Sequence, residues 1–125
     1  MRTYTFTTTV SPMDDSDLAR NFKTLRRRYW IKHGLWIPED VTVVFEKIKK
    51  TKLDIGKPPL IGQCDMRKIR ISPILRHVWV QVHTTLLHEM AHLYRGINFN
   101  DFRHSQGFRK EIDRLYALGA FRRLI

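Results

Sequence analysis

Two histidines flank a glutamate in the segment TTLLHEMAHLYRG, residues 84–96. His88 and His92 are four residues apart, so on an α-helix they lie about 40° apart in rotation and about 6 Å apart along the axis. Their imidazoles can then reach one metal ion at the zinc–nitrogen distance of about 2.0–2.1 Å. Glu89 is rotated by about 100° from His88, which leaves it beside the ion but outside the ligand set. The spacing predicts a catalytic zinc site with Glu89 as the general base.

The chemistry of such a site is hydrolysis. Zinc lowers the pKa of a water toward about 7, and a neighbouring carboxylate can accept the proton. The alternative is a core helix with two histidines whose ring nitrogens have ordinary hydrogen-bond partners. The remaining face of this helix is apolar, so we expect the helix to be buried; the residues concerned are Leu86, Leu87, Met90, Ala91 and Leu93.

A catalytic zinc ion usually has three protein ligands, and the sequence offers two candidates for the third. The metzincin spacing would require a histidine where the chain has Asn98, so that class is excluded. His104 lies 12 residues after His92, and Glu111 lies 19 residues after it. His104 and Glu111 would be about 10.5 Å apart along a helix axis, so they cannot both bind one ion. We favour His104 by residue type and position, with Glu111 as the alternative ligand or as a hydrogen-bond partner of a ligand.

Three helices are expected to position these residues. The first spans about 12–32, with an apolar stripe from Leu18 to Tyr29 and Gly34 as its stop. The metal-binding helix spans about 79–95 and ends at Gly96. The last helix spans about 104–118 and ends at Gly119.

Two or three strands complete an α+β pattern with a small sheet. Residues 41–48 are β-branched and aromatic, and residues 68–72 alternate charged and apolar side chains, so both segments predict strands. Residues 4–10 predict a further short strand or an extended arm. Residues 56–59 carry glycine and prolines and predict a loop.

The chain is strongly basic, and this charge favours a polyanionic partner. Lys and Arg number 23 and Asp and Glu number 12, so the net charge is 23 − 12 = +11. We expect contact with DNA, in single-stranded form, because clustered cations hold phosphates and neighbouring aromatic rings stack on bases. The alternative is a set of solvated cations beside core aromatic residues. The candidate nucleic-acid contacts are Lys23, Arg26, Arg27, Arg28, Lys49, Lys50 and Lys52.

Length and cysteine content bound the class of protein. The 125 residues fit one domain, so we expect a single domain over residues 1–125 that acts as a monomer. Cys64 is the only cysteine, which excludes an internal disulfide and a cysteine zinc ribbon. No run of about 18 apolar residues exists, and Met1–Val10 lacks the apolar region of a secretory signal. We therefore expect an intracellular protein without a membrane segment.

Four segments in the same order resemble the SprT-like zinc metalloprotease domain, the catalytic part of Spartan-type DNA–protein crosslink proteases. They are PEDVTVVFEK (38–47), IRISPIL (69–75), LLHEMAH (86–92) and the histidine-led HSQGF (104–108). The likeness covers about residues 17–118. It implies His88, His92 and His104 as ligands of one Zn²⁺, and Glu89 as general base. It also implies a compact minimal thermolysin-like (zincin) fold. Members commonly add a C-terminal zinc ribbon, which this chain is expected to lack.

The resemblance also suggests how a substrate would bind. In related proteases the substrate backbone pairs with an exposed strand beside the metal-binding helix. Here the candidate is the run Arg67, Lys68, Ile69 and Arg70. The alternative is an ordinary edge strand protected by its charges.

We expect a zinc-dependent endopeptidase that acts on DNA-bound or DNA-crosslinked proteins. The alternative is a non-catalytic basic nucleic-acid-binding module that retains a zinc site.

Overall fold

The structure, a computed structural model, describes residues 11–49 and 60–122. Within those ranges it contains three α-helices and a three-stranded sheet. In chain order the elements are α1 (Asp15–Tyr29), β1 (Thr42–Phe45), β2 (Gly62–Cys64), β3 (Lys68–Ile71), α2 (Trp79–Phe99) and α3 (Gln106–Ala117). The predicted α+β class, with about three helices on a small three-stranded sheet, is confirmed. The predicted arm at 4–10 and the predicted loop at 56–59 lie outside the described residues.

Helix α1 begins at a reciprocal cap. The backbone N–H of Asp17 donates to the Asp14 carboxylate at 2.8 Å, and the Asp14 N–H donates to the Asp17 carboxylate at 3.1 Å. This capping box fixes the start of the helix three residues later than the sequence predicted, because it satisfies N–H groups that the first turn leaves unpaired. The predicted stripe from Leu18 to Tyr29 is buried. A 3-10 turn follows α1, and the chain reverses at Gly34, whose φ is 75°.

The sheet has the order β1-β3-β2, with β1 parallel and β2 antiparallel to β3. Strand β3 is therefore central, and the prediction that Arg67, Lys68, Ile69 and Arg70 form an exposed edge is wrong. Its apolar residues Ile69 and Ile71 are fully buried. Its charged residues, which suggested an edge, instead form ion pairs with Glu46. Lys68 Nζ lies 2.7 Å from a Glu46 carboxylate oxygen, and Arg70 Nε lies 3.3 Å from the same oxygen.

Strand β2, which the sequence did not identify, is joined to β3 by a tight turn at Asp65. One Asp65 carboxylate oxygen accepts the backbone N–H groups of both Arg67 and Lys68 at 2.8 Å. This side-chain turn replaces the glycine that tight hairpins more often use. It places β2 between β3 and solvent, so β2 is one of the two edges of the sheet.

Helix α2 is the buried axis of the fold and is longer than predicted. The prediction that it ends at Gly96 is wrong, since it continues to Phe99 and ends at Asn100, whose φ of 53° is left-handed. Gly96 serves a packing role: a Cβ there would lie 2.0 Å from the ring of Phe102. The glycine lets the chain after α2 fold back onto the helix. In the described part of the chain, no helix is both long and apolar enough to cross a membrane.

Candidate metal centre

Three histidines from two segments meet on one side of α2. His88 and His92 project from adjacent turns of the helix, and His104 comes from the loop that follows it. The Nε2 atom of His104 lies 3.1 Å from Nε2 of His92 and 3.3 Å from Nε2 of His88. His92 is buried, His88 is half-buried and His104 is exposed. The cluster therefore has a closed side and a side open to solvent.

These separations fit a shared metal ion. Two nitrogens about 2.05 Å from one ion, at the tetrahedral angle of about 109°, lie about 3.3 Å apart. The two Nε2 separations given above agree with that distance. The three histidines, with their ligand atoms all within 4.8 Å of one another, form a group that could hold a metal ion. Three ligands leave a fourth tetrahedral position free, which distinguishes a catalytic site from a structural one.

A phenylalanine one turn into α3 supports all three rings. The Phe108 ring stacks on His92 with centroids 4.1 Å apart and an interplanar angle of 15°. It meets His88 and His104 edge-on, with centroids 5.1 Å away in both cases. Because rings packed in this way resist rotation, Phe108 limits the orientations that the three imidazoles can adopt. The sequence predicted that Phe108 faces inward but did not place it against the histidines.

Burial favours the neutral form of two of these imidazoles, those of His88 and His92. It lowers the pKa of His92 to about 4, with the neighbouring His88 and His104 adding to the effect and Asp101 opposing it. Burial also lowers the pKa of His88, with a further contribution from His104. A metal ligand must be deprotonated at the coordinating nitrogen. Both residues are therefore already in the metal-binding form at neutral pH.

Glu89 is a buried carboxyl on the same helix, pressed against strand β2. Its side chain is 6% exposed, and burial raises its pKa to about 7. A Cβ on Gly62 would lie 2.8 Å from a Glu89 carboxylate oxygen, so only glycine lets the β2 backbone come this close. Burial raises the pKa of the Cys64 thiol as well, and the Glu89 charge contributes. A carboxyl with a pKa near neutrality is suited to both accepting and releasing a proton.

The loop that carries His104 is organised by a single carboxylate. Asp101 accepts hydrogen bonds from the Ser105 hydroxyl, from Arg95 Nη2 at 3.2 Å and from the Arg103 N–H at 3.2 Å. The Ser105 hydrogen bond lowers the pKa of Asp101. Ser105 in turn caps α3, where its hydroxyl oxygen accepts the Phe108 N–H at 3.2 Å. Asp101 thus fixes the residues on both sides of His104. No pattern in the sequence indicated this role of Asp101.

Glu111, the alternative third ligand, forms hydrogen bonds with residues outside the histidine cluster. Its carboxylate accepts the Trp30 indole N–H at 2.7 Å. It also receives two hydrogen bonds from Arg114, at 3.0 Å from Nε and 2.7 Å from Nη2, while Arg114 Nη1 donates to the Tyr29 carbonyl at 2.8 Å. Glu111 therefore joins α3 to the end of α1. It does not take part in the histidine cluster.

Comparison with family models gives one match, which agrees with the geometry. The model of the SprT-like family matches residues 20–121. The chain belongs to the SprT-like family. Comparison with curated proteins and with solved structures gave no match. The family match spans β1 to α3 in full, and all of α1 except residues 15–19.

The basic residues predicted to contact nucleic acid lie in different environments in this SprT-like chain. Lys23, Arg27 and Lys49 are exposed. Arg26 is half-buried, and its Nε donates to the Ile37 carbonyl at 2.6 Å, so part of its guanidinium serves the fold. Arg28 is half-buried beside α2. The predicted contacts Lys50 and Lys52 lie outside the described residues.

His104 and Glu111 should respond to substitution in opposite ways. We expect His104→Ala to weaken zinc binding by more than about 100-fold and to change the stability of the metal-free protein little. Glu111→Ala should lower the free energy of unfolding by about 2–3 kcal/mol, since it leaves the partly buried Arg114 without its partner, and should preserve zinc affinity in the folded protein. Zinc titration and denaturant unfolding measure both properties. Loss of zinc in Glu111→Ala with retention in His104→Ala would reverse the assignment.

Asp101 should influence the metal through the loop. We expect Asp101→Ala to weaken zinc affinity by about 10–100-fold, the range typical of residues that orient ligands. Asp113→Ala, which removes an exposed carboxylate of α3, is the matched control and should leave the affinity unchanged. Equal affinities for the two variants would show that Asp101 does not position His104.

Glu89 should make the stability of the metal-free protein depend on pH. Its pKa is about 7 in the folded chain against an ordinary value of 4.5, so the folded state holds a proton that the unfolded state releases between these pH values. Stability from this group is therefore complete below pH 4.5 and is lost as the pH rises through 7. The difference in unfolding free energy between Glu89→Gln and wild type should grow by on the order of 2–3 kcal/mol across this window. The histidine contributions, of opposite sign, largely cancel in that difference. A difference that stays constant with pH would contradict the burial argument.

Proposed function

We propose that this SprT-like chain is a zinc-dependent endopeptidase. The observation that carries the proposal is the convergence of three Nε2 atoms, with separations of 3.1 and 3.3 Å, beside the buried carboxyl of Glu89. Three imidazole nitrogens spaced for a tetrahedral ion suit zinc. A site built only to hold a structural ion would have no need for a buried, unpaired carboxyl beside it.

In the proposed mechanism, zinc bound at this site would supply a polarised carbonyl and a more acidic water. The proton of the attacking water would be transferred by a side chain of the protein. Glu89, with its pKa near 7, takes the proton of the attacking water and passes it to the leaving amine. The Phe108 ring packs against the three histidine rings and limits their rotation during this step. The exposed side of His104 provides the entrance for a polypeptide.

The proposed route for a substrate is the outer edge of β2, which pairs with no other strand within residues 11–49 and 60–122. The backbone groups of residues 61 and 65 bond to β3, through Ser72 N to Ile61 O and Asp65 N to Lys68 O, both at 2.9 Å. In an antiparallel pair the direction alternates along the strand, so Gly62 and Cys64 direct their backbone groups outward. An extended peptide that adds to this edge would pass Glu89, because Gly62 touches that carboxylate.

The proposed substrates are proteins bound or crosslinked to DNA. The net charge of +11 supports a polyanionic partner, and the exposed cations Lys23, Arg27 and Lys49 support contact with the phosphate backbone. A peptidase held on DNA would meet DNA-bound proteins at high local concentration. The proposed compartment is accordingly the one that contains DNA.

The experiment that tests the peptidase proposal compares Glu89→Gln with wild type. Both proteins are loaded with zinc and incubated with a fluorescently labelled unfolded protein, with and without single-stranded DNA. We expect Glu89→Gln to lose about 10²–10⁴-fold in cleavage rate and to keep one zinc ion per chain. Glu39→Gln, which changes an exposed glutamate, is the control and should be as active as wild type.

Two results would contradict the proposal. One is cleavage by Glu89→Gln at the wild-type rate. The other is a zinc-loaded wild type that cleaves neither free nor DNA-bound protein, which would favour the non-catalytic nucleic-acid-binding module.

A further inference from the structure

A cleft lies between α1 and the first turns of α2, away from the histidine cluster. Its volume is about 290 Å³, close to the lower end of the about 300–1,000 Å³ typical of small-molecule pockets. One wall is a stripe of α1 at helical spacing, and the other is the start of α2. The lining residues that can bind a ligand are Asp17, Arg20, Asn21, Arg28, Trp79 and His83.

Arg28 carries the unusual feature of this cleft. Its Nη1 atom is buried, and no residue within 11–49 or 60–122 accepts a hydrogen bond from it. A buried guanidinium nitrogen without an acceptor is unfavourable, since desolvation is not offset by a hydrogen bond. Other atoms of the side chain line the cleft, so a small shift of the guanidinium would bring Nη1 against an anion bound there.

The other charges of the cleft are already compensated. Asp17 accepts hydrogen bonds from the Arg20 guanidinium and from the Asp14 N–H, which reduces the repulsion that this carboxylate would exert on an anion. His83 Nε2 lies 3.0 Å from the Ala120 carbonyl oxygen. Arg28 differs from Arg20 in having a buried nitrogen that lacks an acceptor within residues 11–49 and 60–122.

Trp79 gives the cleft an aromatic surface. Its side chain is 45% exposed although the indole N–H is satisfied by the Ser11 carbonyl at 3.1 Å. The ring is thus fixed in place while leaving area open to solvent. An exposed indole held in one orientation can stack on a base. A guanidinium nitrogen that lacks an acceptor can bind the phosphate of the same nucleotide.

We propose that this cleft binds one nucleotide of a single-stranded nucleic acid, with a phosphate on Arg28 and a base on Trp79. The proposal deepens the nucleic-acid part of the proposed function and rests on it. It places the strand on the far side of α2 from the metal. Trp79 precedes His88 by nine residues, which is about 13.5 Å along the axis and about 180° around it. The peptide and the strand would therefore occupy opposite faces of one helix.

The test measures binding of a fluorescent oligothymidylate to the full chain by anisotropy, separately from any cleavage assay. Arg28→Met should weaken binding by about tenfold or more and should lower the dependence of log affinity on log salt by about one unit. Arg109→Met, the same charge change at an exposed position of α3 that does not line the cleft, should weaken binding by less than about threefold. Trp79→Leu should weaken it by about fivefold or more, and Trp36→Leu, at another exposed tryptophan, should not.

Thermal unfolding of the same variants shows what Arg28 does in the fold. If its buried nitrogen serves a ligand, Arg28→Met should raise the melting temperature by about 3–5 °C. A lower melting temperature with unchanged oligonucleotide affinity would overturn the proposal, since Arg28 would then be held by another part of the chain.

Three binding results would also overturn it. The first is an equal loss of affinity in Arg109→Met and Arg28→Met, which would indicate diffuse attraction. The second is displacement of the strand by inorganic phosphate as effective as that by unlabelled strand. The third is the absence of binding by wild type. Because binding is measured without cleavage, failure here leaves the peptidase proposal standing. Failure of the peptidase assay likewise leaves this one standing.

Discussion

Three imidazole nitrogens must be held within about 3.3 Å of one another, and the rest of the structure can be understood from this constraint. Two of them share adjacent turns of one helix, so their spacing is set by helical geometry. The third arrives from a loop, and a loop needs additional constraints to be as precise. Asp101 ties that loop to Arg95 and Ser105, and Phe108 packs against all three rings. The site is thus a rigid helix face completed by a braced loop.

The buried Glu89 carboxyl opposes stability in the metal-free chain. Desolvation raises its pKa to about 7, so ionisation at neutral pH weakens the folded state. A bound cation beside it would offset this effect, because opposite charges favour the ionised carboxylate. Metal binding and folding should therefore support each other, as they do wherever the ligand binds only the folded chain. Gly62 packs directly against this carboxyl and lies on β2, an edge strand of the described sheet.

Short-range patterns in the sequence were sufficient for the helices and for the first two histidines. Glu89, His88 and His92 follow from one helical turn, and the stripe from Leu18 to Tyr29 follows from helical periodicity. His104 could be preferred over Glu111 only by its residue type and its position, and both residues stayed open as the third ligand. The hydrogen bond from Trp30, 81 residues distant in sequence, is what removes Glu111 from the site, and no local pattern contains it.

The errors have physical causes of the same kind. Strand β3 alternates charged and apolar residues as edge strands do, but its charges pair with Glu46 and its edges are both covered. Gly96 looks like a helix stop, yet its missing side chain is needed by the Phe102 ring. Strand order and close packing arise from contacts between distant segments, which periodicity does not encode. The sequence also gave no sign that one nitrogen of Arg28 lacks a hydrogen-bond acceptor, since Arg28 stands in a run of three arginines. The burial of that nitrogen depends on tertiary packing.

X-ray absorption spectroscopy of the zinc-loaded protein tests the central claim most directly. We expect imidazole scattering from three nitrogen ligands at about 2.0–2.1 Å, with no sulfur bound to the zinc. A sulfur ligand at about 2.3 Å would bring Cys64 into the site. Only two imidazoles in the shell would exclude His104. Either result would contradict a three-histidine centre.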